Sequence, residues 1–172
     1  MFPSMRLALP TIALIITFLS SCSKNENFSD YEDNIENPSS KTTLASSETH
    51  NEIETELFNM INNHRSSIGL NEMEFESTTY YYAGLHTEYM IEKGNTSHAK
   101  FGERAENISK RTGAVFVAEN VAKDYDTITD AFEAWLDSPG HRKNLEGNFD
   151  YSAISIKRNS NGDLYFTQVF FR

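Results

Sequence analysis

Six side chains stand apart for the chemistry they could do: one cysteine, Cys22, and five histidines, His50, His64, His86, His98 and His141. A thiolate is a nucleophile or a metal ligand. An imidazole titrates near neutrality, moves protons and ligates zinc through a lone pair. The spacing of these residues matches no recognised hydrolase signature. There is no His-Glu-x-x-His pair to set two imidazoles one turn apart on a helix, and no Gly-x-Ser-x-Gly elbow to expose a nucleophilic serine. A single cysteine closes no internal disulfide. Any site in this chain must therefore be assembled by folding, from residues far apart in sequence.

The elements that would assemble it can be read from apolar periodicity. Residues 51–67 place Ile53, Leu57, Met60 and Ile61 at helical spacing, with Gly69 as a stop. A second helix is expected over 77–93, with Tyr82, Leu85, His86, Tyr89 and Met90 on one face and Gly94-Asn95 ending it. His86 then points inward, either to support a cleft or as a core histidine satisfied by a hydrogen bond. Three tyrosines in a row, Tyr80 to Tyr82, cannot all be buried by one helix, so one or two are left to line a groove. A third helix starts near Asp126 or Thr127, where Thr127 and Asp130 have capping-box spacing, and buries Ile128, Ala131, Phe132, Trp135 and Leu136. Ser138 can then cap, and Pro139 can open, a short helix carrying His141. Residues 151–157 and 164–171 are strand-like runs around Asn159-Ser160-Asn161-Gly162-Asp163, hence a hairpin, and 115–117 reads as a short strand. The fold class is α+β, with helices on both sides of a small sheet. His50 and His64 are expected at the surface, since nothing near them in sequence converges.

The N-terminus speaks to compartment. Arg6 precedes an apolar run of about 13 residues, 7–19, shorter than the roughly 20 a spanning helix needs. Leu19-Ser20-Ser21-Cys22 resembles the lipobox of bacterial lipoproteins, which implies a signal peptide over 1–21, lipid on Cys22 and extracytoplasmic anchoring at an outer membrane or cell surface. Acylation also removes the one thiol as a catalytic nucleophile. Residues 22–50 are polar and read as a tether, and 51–172 as one domain. The formal charge of −10 opposes nucleic-acid binding and is read as a solubility feature. A monomer is expected.

Short motifs along the domain occur in the order found in bacterial CAP (SCP/pathogenesis-related-1) domains: Asn62-Asn63-His64-Arg65, Ala83-Gly84-Leu85-His86, Ser97-His98, Ala118-Glu119-Asn120-Val121, Trp135-Leu136-Asp137-Ser138-Pro139-Gly140-His141-Arg142, and Phe166-Thr167-Gln168-Val169-Phe170. The resemblance covers nearly all of residues 51–172. It implies a three-layer α-β-α sandwich around a small, mainly antiparallel sheet. It also implies a cleft in which His98 and His141 hold a divalent metal, commonly zinc, and Glu119 ligates it or orients a bound water. His86, Asn120 and Gln168 would support that cleft. An upstream copy, Ala105-Glu106-Asn107-Ile108, duplicates the Glu-Asn motif, but Arg104 and Gly113 fall correctly only if Glu119 is the functional copy, which leaves Glu106 at the surface. Ser138 stands where the family carries a second acidic residue, so weak or absent metal binding is the alternative. His98 and His141 can equally serve by hydrogen-bonding Glu119 and the backbone. The functions implied are a binding module for a small ligand, lipid or cell-wall peptide, a metal-dependent hydrolase with Glu119 as base, or a structural envelope protein.

Overall fold

The computed structural model describes residues 49–172, so the signal segment, Cys22 and most of the tether lie outside the described residues. In chain order come α1 (Glu52–Ser67), β1 (Glu74–Phe75), α2 (Ser77–Lys93), α3 (Phe101–Thr112), β2 (Val117–Lys123), α4 (Ile128–Asp137), α5 (Pro139–Leu145), β3 (Tyr151–Arg158) and β4 (Leu164–Phe171). The sheet has order β1-β3-β4-β2; the short β1 runs parallel to β3 and the other pairs are antiparallel. The β3–β4 turn is fastened by the Asn159 side-chain oxygen, which accepts from the backbone of Asn161 and Asp163. Gly162 supplies the left-handed backbone the turn needs, with φ 95°.

Alternation along the strands divides the core. Ala118 and Ala122 of β2 join Leu57 and Ile61 of α1, Trp135 of α4, Leu145 of α5, and Ile154, Phe166 and Phe170 of the hairpin. On the opposite face, Val117 and Val121 meet Ala83 and Met90 of α2 and Ile108 of α3. The sheet is thus covered on one face by α1, α4 and α5 and on the other by α2 and α3, the three-layer α-β-α arrangement. Each large side chain fully buried here contributes roughly 1.5–3 kcal/mol of transfer free energy.

Both outer strands of the sheet are closed by side chains rather than by further strands. Past the two residues of β1, the edge of β3 gives its Ile154 N–H to Nε2 of His50 at 2.9 Å and its Ile156 N–H to Oε1 of Glu54 at 2.8 Å. Glu54, buried to 1% exposure, also completes the capping box of α1 with Asn51. On the far edge, the carbonyl of Glu119 accepts from Asn144 Nδ2 at 3.3 Å and that of Val121 from Trp135 Nε1 at 3.4 Å. Unpaired strand edges invite association with other chains, and these four side chains cover part of that liability.

Several local expectations are corrected. α3 goes beyond the helices expected, because it buries only Arg104 and Ile108 and so shows almost no apolar stripe. The strand expected at 115–117 is displaced to Val117–Lys123: Val115 and Phe116 are 82% and 51% exposed, while the Ala-Glu-Asn-Val-Ala run forms the strand despite poor intrinsic preference. Ser138 makes no side-chain cap to α5, although Pro139 does open it; Thr127 caps α4 as expected. His50 is not at the surface but packs against Phe58, Phe75 and Tyr80 with centroid separations of 5.0, 4.6 and 5.4 Å. His64 is likewise engaged, its Nε2 lying 3.0 Å from Oε1 of Glu146 just after α5. Glu106 is exposed and pairs with Lys110.

Candidate functional site

A carboxylate at a buried strand position needs compensation, and the elements around Glu119 supply it. Glu119 shares its face of β2 with Val117 and Val121, toward α2 and α3, and its side chain is 1% exposed. From α3, Arg104 donates through Nε to Oε2 at 2.8 Å and through Nη2 to Oε1 at 2.9 Å, a two-pronged charged pair. Its third nitrogen, Nη1, donates to the Ala99 carbonyl at 3.0 Å, tying the loop before α3 to the same residue. That loop carries His98, whose Nδ1 lies 2.9 Å from Oε1 of Glu119. Next to an ionised carboxylate, Nδ1 carries the proton and donates. The His98 side chain is 53% exposed. His86 approaches from α2: its Nε2 donates to the Ser97 carbonyl at 2.7 Å and lies 3.7 Å from Oε1 of Glu119. Burial is the main cause that lowers the His86 pKa, the negative Glu119 opposing and the positive Arg104 adding to it.

Residue 120 points the other way. The Asn120 side chain gives Nδ2 to the His141 carbonyl at 3.1 Å and receives Nδ2 of Asn144 at 2.9 Å, so it fixes the first turn of α5 against the sheet. His141 is thereby held at the outer edge of β2, half-buried, with its pKa lowered first by burial and then by the charge of His98. The two histidines come from opposite helical layers, His98 from the loop before α3 and His141 from α5. Arg65 of α1, fully buried, secures the chain that leaves α5: it donates to the carbonyls of Leu145, Gly147 and Phe149 at 2.8, 2.8 and 3.3 Å.

The structure therefore brings His98, Glu119, His86 and Arg104 together, while the His141 ring lies 6.4 Å from that of Trp135 on the other helical layer. Asn120 acts through α5. Gln168 is on the opposite face of the sheet from Glu119, in line with Phe166 and Phe170, where its Nε2 donates to Ser152 Oγ at 3.1 Å and its Oε1 has no partner among the described residues. Arg104 and Asn144 are site residues that sequence reasoning missed. A basic residue one turn before Ile108 on a buried helix face was the available signal, since a buried guanidinium demands a carboxylate.

Three donors already meet the Glu119 oxygens, Arg104 one on each and His98 a second on Oε1, and the adjacent guanidinium charge repels a cation at the lone pair that remains on Oε2. Ser138, at the α4–α5 junction, brings no carboxylate. Among the described residues no three His, Cys, Asp or Glu side chains converge as a metal set. The donors left are two imidazoles, which do not fit a three-ligand zinc centre.

An α-β-α sandwich with a buried carboxylate presenting a histidine at a sheet edge is the class that fold and site define. Residues 58–170 match the family model described as CAP, cysteine-rich secretory protein family, and the chain belongs to that family. A Bacillus subtilis (strain 168) relative named uncharacterized membrane protein YlbC is 30% identical over 122 residues, 69% of this chain; the match spans only 34% of that relative. Among solved structures, an outer surface protein from Borrelia burgdorferi is similar with a TM-score of 0.63 at 21% identity, covering 69% of this chain and 90% of that one. An extracellular protein containing an SCP domain from Bacillus anthracis has a TM-score of 0.60 at 26% identity, covering 69% and 40%.

Proposed function

We propose that this protein is an extracytoplasmic binding module, held at a bacterial membrane by lipid on Cys22, whose β2-edge cleft presents His98 and His141 to a small ligand, lipid or cell-wall peptide. The observation that carries the reading is the commitment of Glu119 to Arg104 and His98. A carboxylate so engaged holds an imidazole for recognition and is not available as a metal ligand or a free base. The names of the similar proteins, which speak of a membrane protein, an outer surface protein and an extracellular protein, agree with the compartment. A divalent cation at the two imidazoles would be held weakly and lost to chelators.

One observation favours a hydrolytic second reading. His98, with Nδ1 held by Glu119, has Nε2 left over to accept a proton, so His98 rather than Glu119 would act as general base. The test is a titration of the full chain with muropeptides and with anionic lipid vesicles, beside His98→Ala/His141→Ala and Cys22→Ser variants. Saturable binding lost in the histidine variant, and membrane association lost in the cysteine variant, are expected. Ligand binding untouched by loss of both histidines would remove the cleft from the function, and peptide cleavage lost in His98→Ala would turn the reading to hydrolysis.

A further inference from the structure

A concavity of about 260 Å³ lies between α2 and α3. One wall is a stripe of α2, Tyr82, Leu85 and Tyr89, at spacings of three and four residues. Leu85 is 46% exposed and belongs to none of the core clusters, so its apolar surface faces the groove and solvent. The floor is His86 and Arg104, and Lys100, at the start of α3, forms part of the opposite wall. The His86 ring stacks on Tyr89 at 5.8 Å and 13°. Because Nε2 of His86 gives its proton to the Ser97 carbonyl, the neutral ring keeps a lone pair on Nδ1, and no donor among the described residues meets it; the atom is not one of the buried unpartnered ones, so water reaches it from the groove that His86 lines. The Lys100 ammonium has no hydrogen-bond or ion-pair partner among them either, and Lys100 adopts a left-handed backbone, φ 56°, that a non-glycine residue seldom takes.

We infer that this groove binds a small ring-bearing carboxylate that also carries an O–H or N–H donor. The ring lies against Tyr82, Leu85 and Tyr89, the carboxylate is drawn to Lys100, and the donor meets Nδ1 of His86. A ligand that displaces water from this acceptor without supplying a donor leaves it unpaired, which disfavours an apolar ligand of the same shape and rewards one that supplies the hydrogen bond. Glu103, on the same wall, works against the carboxylate and gives the inference a second handle. The groove shares His86 and Arg104 with the Glu119 cluster, so occupancy is felt at His98.

The probe is 4-hydroxyphenylacetate, with phenylacetate and 4-hydroxybenzyl alcohol as comparators that lack the donor or the carboxylate. Amide and histidine shifts of the full chain are followed by NMR up to about 20 mM, a range that captures millimolar affinity. Expected are saturable shifts confined to residues 82–89 and 100–107 together with His98, weaker binding of both comparators, at least tenfold loss in Lys100→Glu and in Leu85→Glu, and a few-fold gain in Glu103→Gln. All three substituted residues are exposed, so unchanged melting temperatures report an intact fold. No saturable shift, equal response to the comparators, or binding that survives both Lys100→Glu and Leu85→Glu overturns the inference.

Discussion

His50 makes acid stability a direct test of how the domain closes its β3 edge. Its Nε2 accepts the Ile154 N–H, which requires that nitrogen to be unprotonated, and three aromatic rings enclose the rest of the ring. Glu54, which caps the same strand edge, is engaged by Tyr80 Oη and the Ile156 N–H. Burial lowers the His50 pKa from 6.5 to about 4. With the folded value depressed, the unfolded chain binds the proton more readily. The contribution of His50 is complete above pH 6.5, declines as pH falls from there toward 4, and changes no further below 4. The full span corresponds to about 3 kcal/mol, and between pH 7.5 and pH 5 to about 2 kcal/mol. Solvent at this incompletely buried ring reduces the latter to about 1–2 kcal/mol. His86 and His141 have lowered pKa values of the same sign, so the measurement is a difference. His50→Gln retains an acceptor but does not titrate. Urea unfolding of wild type and His50→Gln at both pH values should show the wild type losing about 1–2 kcal/mol more on acidification. Parallel losses in the two proteins, or a His50 that titrates near 6.5 by NMR, would refute the reasoning.

Other perturbations read the site itself. Glu119→Gln leaves a buried guanidinium uncompensated and should cost about 3–5 kcal/mol by denaturant titration, whereas Glu119→Leu with Arg104→Met should cost less than Glu119→Gln alone. Arg65→Lys cannot reproduce the fork that holds three carbonyls after α5, and a loss of about 2–3 kcal/mol is expected in thermal unfolding. His98→Ala, at a 53% exposed side chain, should change stability by less than about 1 kcal/mol while abolishing cleft binding in calorimetry. Zinc added to the full chain should bind weakly and be lost in His98→Ala; tight, stoichiometric zinc would show that Glu119 exchanges Arg104 for the metal.

What the sequence by itself determined were the elements with strong periodic signals and local caps: α1, α2, α4, the hairpin, and a family membership carried by motifs spread along the domain. Those features depend on neighbours within a few residues, which a linear reading can see. α3 escaped because its buried face is one arginine and one isoleucine, and β2 was displaced because its residues become a strand only by pairing with β4. His50 was misjudged for the same reason: its partners are Ile154 and rings from α1, β1 and α2, none adjacent in sequence. Tertiary structure alone decided how Glu119 is spent. The sequence offers a carboxylate and two histidines, but the packing of α3 over β2 brings Arg104 to both carboxylate oxygens. A buried negative charge takes the nearest positive partner, and that choice commits Glu119 to Arg104 and leaves His98 hydrogen-bonded at its side.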